Sequence, residues 1–322
     1  MRKFLIRIAV YVSVIAAISL ALNMWYLLLD PDYNAMNVPD NIQICNFGSS
    51  HGCAFNYKDF KDKYVCSNFS MTSQSLFYDY SILQHYQDKL QPGAAVFILT
   101  SYFSFFGVPE AEQKSFHAKN KRYYKFLPGE LIMQYDRTID LYIKDLPCLS
   151  PSGLTVFIKH LFNLDKTAKL IQADFNTHDD SLIKTADPNE AVIEAAKAYD
   201  RHIAGQRDET GRRLRRQESF EAIYGMIDLC RKLGAKPVLV TAPYLREYTD
   251  IVRKNDPEFF GDFYAVIDEI KNKTGIEYYD YAFDERFCRN YRLFSNADHM
   301  NREGARIFTN TLLHEVLGID PD

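Results

Sequence analysis

The chain has 322 residues and a formal net charge of −4, so its global charge excludes the strongly basic balance of a nucleic-acid binder. Aromatic residues make up 14%, with 22 Tyr and 23 Phe, a content that fits a broad sheet core. The six cysteines form no Cys-x-x-Cys pair and no histidine cluster has metal-ligand spacing, so neither a metal nor another cofactor is expected. Cys45 falls in a core strand pattern and Cys230 on an apolar helix stripe, and most of the set, with Cys53, Cys66, Cys148 and Cys288, reads as buried thiols.

At the start of the chain, Arg2, Lys3 and Arg7 precede an apolar run from Ile8 to Leu29 that is interrupted only by Ser13, Ser19 and Asn23. At about 1.5 Å per residue this run reaches across a bilayer core of about 30 Å. It predicts a cytoplasmic tip at 1–7, a transmembrane helix at 8–29 that contacts membrane lipid, and a linker at 30–40. The basic flank stays inside, which sends the rest of the chain to the outer face. A cleaved signal peptide is the competing reading, with Ser19-Leu20-Ala21 as a poor cleavage site. About 290 residues then remain for one large domain, 41–322.

That domain opens on Ile42–Phe47, a short strand pattern that breaks into Gly48-Ser49-Ser50-His51-Gly52. A second strand pattern covers Tyr64–Phe69, and Ser70–Gln74 opens a helix to Leu90 with a Gln91-Pro92-Gly93 stop. Ala94–Thr100 is the continuous apolar run of a fully buried parallel strand. Residues 106–217 are less regular and read as a lid or docking insert. They carry a helix start at Asp187-Pro188-Asn189-Glu190 and a basic cluster from Arg212 to Arg216, read as a solvated helix face or a contact for an anionic polymer or lipid headgroups.

Regular patterning resumes with a helical stripe from Phe220 to Leu233 and a strand at Lys236–Thr241. A helix follows over Asp256–Lys273, then a strand over Ile276–Tyr281 and a last helix capped by Asn301. Five βα-like units predict an α/β fold, a three-layer α/β/α sandwich with a mainly parallel sheet.

Two blocks carry chemistry. Ser50 follows the first strand directly, where a parallel sheet holds a nucleophile rigidly and can lend its backbone N–H to an oxyanion. Asn296-Ala297-Asp298-His299 supplies a base with an acid beside it, just before the last helix. His51, adjacent to the serine, cannot easily turn back as its base and reads as structural.

On Gly48-Ser49-Ser50 and Asp298-His299 the chain resembles the SGNH (GDSL-type) hydrolase superfamily, whose flavodoxin-like fold carries a Gly-x-Ser block and an Asp-x-x-His block. It is more narrowly similar to the membrane-anchored branch that includes teichoic-acid D-alanyl transfer and alginate O-acetylation proteins. The resemblance runs from about residue 41 to the C-terminus and implies Ser50 as nucleophile and His299 as base. It departs from the pattern at Asn296, where the family has aspartate, so the acid is Asp298 or comes from elsewhere. The second strand end of the family delivers an oxyanion N–H, here from Ser70, with Asn68 and Gln74 close by. The third block, Ser101-Tyr102-Phe103-Ser104, lacks the asparagine that the superfamily commonly uses, and Tyr244 after the fourth strand reaches the same crevice.

The implied activity is that of an envelope acyl-ester enzyme, an O-acyltransferase or esterase acting on an extracytoplasmic polymer or lipid-linked glycan. Its implied partner is a multispanning membrane O-acyltransferase. The alternative is a non-catalytic adaptor that binds polysaccharide or scaffolds such an acyltransferase.

Overall fold

The computed structural model describes residues 1–29, 36–144, 146–147, 151–162, 164 and 185–321. Cys148, most of the linker and part of the 106–217 insert lie outside the described residues. Along the chain the helices are α1 (Arg2–Leu29), α2 (Leu76–His85), α3 (Phe116–Asn120), α4 (Arg137–Lys144) and α5 (Pro151–Leu161). They continue with α6 (Ala191–His202), α7 (Gln217–Lys232), α8 (Arg246–Asn255), α9 (Phe259–Thr274) and α10 (Arg302–Leu317).

The chain forms two compact units, one from Met1–Asn37 with Lys114–Ala173 and one from Val38–Gln113 with Asp174–Asp322. In the first unit, α1 is continuous, and its Arg2–Tyr26 stretch is long and apolar enough to cross a membrane. Its Trp25 and Tyr26 meet Phe157 of α5. Tyr124 stacks on Tyr135, and the Tyr124 hydroxyl accepts the Asp136 N–H, which ties the start of α4 to the preceding turn.

The second unit is α/β. Among its described residues, β1 (Ile42–Phe47), β2 (Cys66–Asn68), β3 (Leu90–Leu99), β4 (Lys236–Thr241) and β5 (Glu277–Asp280) form one sheet in the order β2-β1-β3-β4-β5, with every pairing parallel. Parallel strands covered by helices need apolar side chains on both faces, and Ala94–Leu99 at the centre is buried throughout. On one face Ile44, Phe97, Leu99, Val238 and Val240 pack with Phe308 and Leu312 of α10. Cys45 points the other way, near Cys230 of α7, and burial pushes its thiol well up. The other described cysteines are free thiols too.

Several elements differ from the pattern-based reading, among them α6, which starts at Ala191, and α9, which starts at Phe259. The helix expected from Ser70 starts at Leu76, because Gln74 N–H closes a turn on Met71 O and Ser73 takes a left-handed φ of 56°. Strand β3 begins at Leu90, through the expected Gln91-Pro92-Gly93 stop. The register against β1 shifts between Ile42 and Ile44, and that irregularity accommodates Pro92 and a left-handed Gly93. Helix α8 is an addition, a polar helix that buries only Tyr248, Thr249 and Val252, too few to signal a stripe.

The basic cluster of 212–216 is not a helix face, and its arginines are paired, with Arg212 and Arg215 exposed and Arg213 covered. Arg213 is buried between the rings of Phe106 and Phe259 and pairs with Asp256 and Asp262 at 2.7 Å each. Arg215 pairs with Glu269, Arg212 with Asp208, and Arg216 donates to the Phe103 and Val108 carbonyls. These bonds pin 206–216 onto the sheet-bearing unit.

The winding of the sheet reverses between β1 and β3. Ligands of open α/β sheets bind in the crevice outside the strand carboxyl ends at such a reversal. Ser50 follows β1 and Ser101 follows β3, so both stand at that crevice.

Candidate active site

The serine turn is set by close approach. Gly48 has φ 151°, and a Cβ there would come within 2.9 Å of Leu99 Cβ on the neighbouring strand. A side chain is therefore excluded just where β1 must let the chain leave the sheet. Ser49 caps a 3-10 helix, Ser50–Ala54, by accepting the His51 N–H. Gly52 passes so near β2 that a Cβ would lie 1.9 Å from Ser70 Oγ.

The histidine loop is built as tightly. Asn296 Oδ1 accepts the N–H groups of Asp298 at 3.0 Å and His299 at 2.9 Å, and Ser295 N–H bonds back to His299 O. Asn301 caps α10 through Gly304 N–H, while its amide donates to the carbonyls of Arg292 and Phe294.

These two turns meet. His299 Nε2 lies 2.9 Å from Ser50 Oγ, and His299 Nδ1 lies 3.1 Å from Asp298 Oδ1 and 3.2 Å from Asn296 Oδ1. With its hydrogen on Nδ1, the imidazole faces the serine hydroxyl with a lone pair, the arrangement a general base requires. Asp298 turns inward, its side chain 2% exposed, so the carboxylate that meets the His299 ring is the one beside it in sequence. Asn296 shares the same Nδ1 hydrogen as a neutral acceptor.

Asp298 gathers further donors. His51 Nε2 lies 3.4 Å from Asp298 Oδ2, His202 Nε2 lies 3.1 Å from it, and Arg201 Nη2 lies 3.2 Å from it. Burial would push the Asp298 carboxyl up, but the charge of His299 and hydrogen bonds from His202, His299 and His51 outweigh it and hold the acid well below the usual carboxylate range. Burial pushes His51 down to about 3 and His202 down as well, against the pull of Asp298 in each case. Both are therefore neutral at neutral pH, and Arg201 Nε–H also points at His202 Nε2, 3.2 Å away. His202 also stacks on Phe103 with ring centres 4.5 Å apart.

Ser101 and Tyr244 join this network through His51. Ser101 Oγ is 2.9 Å from His51 Nδ1, and the Tyr244 hydroxyl is hydrogen-bonded to the Ser101 side chain. The chain Tyr244–Ser101–His51–Asp298 fixes the His51 tautomer, with its hydrogen on Nε2 toward the carboxylate.

Asn68, Ser70 and Gln74 are placed differently from the expectation. The Ser70 N–H donates to Asn68 Oδ1 at 3.1 Å, and the Ser70 side chain is 0% exposed against Gly52 and Asn68, so the geometry does not offer that N–H to an oxyanion. Asn68 spends its amide on the Gly52 and Phe55 carbonyls and acts as a bolt under the serine turn. Gln74 donates to Phe69 O and, at 2.6 Å, to Asp79. The Ser50 N–H has no acceptor among the described residues, which leaves it open to a ligand.

Sequence reasoning missed His202 and Arg201 and read His51 as merely structural. Arg201 and His202 close α6, where basic residues in a last turn read as complements of the helix dipole, so no local signal separated them. His51, Asp298 and His299 each bring one nitrogen or oxygen within 4.8 Å of the others, a spacing that a metal ion could share. The ring nitrogens facing that point are already matched to one carboxylate, and His299 Nε2 to Ser50, so the set is complete as a hydrogen-bonded cluster. A scan of known protein-family models finds no match to this chain, and a search of curated proteins finds none either.

Proposed function

We propose that the chain is an acyl-ester enzyme of the cell envelope, an esterase or O-acyltransferase that works through Ser50. The observation that carries the reading is the run of hydrogen bonds from Ser50 Oγ to His299 Nε2 at 2.9 Å and from His299 Nδ1 to Asp298 at 3.1 Å. Ser50 Oγ attacks an acyl carbonyl carbon while its proton passes to His299 Nε2. The imidazolium is stabilised by ionised Asp298 through Nδ1–H, and the Ser50 N–H donates to the oxyanion. Collapse returns the proton from His299 to the departing oxygen and leaves an acyl-Ser50 ester. Water or a polymer hydroxyl then attacks that ester with His299 again taking the proton, giving a free acid or a new ester.

The envelope setting rests on α1, with Arg2, Lys3 and Arg7 ahead of the apolar span, which favours an outward α/β unit. A polymer or lipid-linked glycan hydroxyl is the acceptor this setting supplies, and a multispanning membrane O-acyltransferase the partner that would bring acyl groups to it. The placement of α10 and α7 over different strand residues supports a three-layer α/β/α sandwich.

A second reading is a non-catalytic adaptor. The shortage of oxyanion donors favours it, since the Ser70 N–H and the Asn68 amide are both taken and one donor contributes about 3 kcal/mol to a transition state. The deciding experiment is labelling of the full chain by a serine-reactive fluorophosphonate, in detergent and in native membranes. The expected result is an adduct on Ser50 that is lost in Ser50→Ala and His299→Ala. A folded protein that stays unlabelled in both settings moves the adaptor reading ahead.

A further inference from the structure

We infer that α5 is a membrane-interfacial helix, lying flat beside the outer end of α1 with its open apolar face among lipid headgroups and the first acyl carbons. The inference rests on reading α1 as membrane-spanning. It starts from spacing: Leu154, Phe157, Ile158, Leu161 and Phe162 fall at i, i+3, i+4, i+7 and i+8, one stripe of an α-helix, with Thr155 and Lys159 on its polar edge.

Only part of that stripe is used within the protein. Phe157 is buried, 5.6 Å from the Trp25 ring in an edge contact, and clusters with Tyr26 and Leu22. Leu154 and Ile158 are each 42% exposed and Phe162 is 65% exposed, while on α1 Met24, next in sequence to Trp25, is 66% exposed. Apolar side chains on two touching helices thus stay open together, where water-facing surfaces avoid contiguous patches.

The occupant follows from continuity and length. The last turns of the apolar span, Leu22–Tyr26, are the turns that α5 grips, so a bilayer around α1 reaches the level of α5. Trp25 and Tyr26 are also residue types enriched at a membrane–water boundary. Eleven residues extend about 17 Å, too short to cross a core of about 30 Å. A short amphipathic helix fixed at that depth lies in the interface plane, its apolar side sunk about 5–10 Å.

Trp25 is the chain's single tryptophan, which makes the test direct. Full-length protein is reconstituted in phosphatidylcholine–phosphatidylglycerol vesicles whose acyl chains are brominated near the headgroup end, and tryptophan emission is compared with unbrominated vesicles. Wild type reports Trp25 on α1. A second protein, Trp25→Phe with Ile158→Trp, reports the open face of α5, and circular dichroism checks that both fold alike. The inference expects quenching of at least about twofold in both, as for side chains at interfacial depth. Quenching in wild type with none in the second protein overturns it, because α1 is then in lipid while α5 faces water or protein. Absence of quenching in both removes the membrane reading of α1 and the inference together.

Discussion

Two buried aspartates touch the serine turn, and their acidities are pushed in opposite directions. Asp298 reaches Ser50 through His299 and stays ionised, with His299, His202, His51 and Arg201 all directed at its two oxygens. Asp79 accepts the Gly48 N–H and the Gln74 amide, both neutral, and has Glu110 nearby. Burial then pushes Asp79 up to about 7, with the like charge of Glu110 adding to it. Burial is nearly complete at both sites, so it does not decide the outcome. The charge and number of the donors does, and the serine is served by the carboxylate that can stay negative.

The largest test of that contrast is Asp298→Asn. An amide cannot stabilise the imidazolium or hold the His299 tautomer, so fluorophosphonate labelling of Ser50, measured per folded molecule, is expected to slow by about 10⁴-fold. A loss of only a few-fold would mean that Asn296 alone supports the base.

Asp79→Asn probes the other member. The carboxyl sits near 7 in the folded chain against 3.8 in the unfolded one, so the native state holds the extra proton between those values. Stability contributed by the protonated acid is therefore present at low pH and lost as pH rises through about 7, by up to about 4 kcal/mol. Urea denaturation at a series of pH values should show wild type weakening over that window relative to the Asn variant. Parallel profiles would mean that Asp79 ionises as freely as an exposed acid.

His51→Gln sharpens the comparison from the acid side. Its folded value of about 3 lies below the usual 6.5, so the unfolded chain takes up a proton first and wild type loses stability as pH falls below about 6.5. Roughly 2 kcal/mol of that loss should accrue by about pH 5 and be absent in the Gln variant. The smallest effect belongs to Arg201→Ala. Arg201 is 54% exposed, which screens its pairing to about 1 kcal/mol or less, so labelling should slow by less than about fivefold and the difference should vanish in high salt.

What the sequence disclosed was whatever a short window contains. The serine turn after β1, the Asp298-His299 pair and the Asn301 cap are each complete within a few residues, and their chemistry follows from residue type and order. The parallel class of the sheet follows likewise from buried runs such as Ala94–Leu99. The donors around Asp298 do not, because His51, His202 and Arg201 come from separate elements and nothing local says where each ring will point. Asn68 and Ser70 show the same limit in reverse. A polar residue at a strand end looks alike whether it faces the crevice or bolts the turn beneath it, and here close approach of Gly52 decides for the bolt.

The hydrogen bond between Ser50 and His299 spans 249 residues of sequence. At about 5–20 residues per second, a ribosome finishes the serine turn roughly 10–50 s before it makes the base. Throughout that interval, and in any fragment cut before the last loop, Ser50 is an alcohol without its imidazole partner. On the proposed reading of Ser50 as a nucleophile, its activation therefore waits for the completed chain.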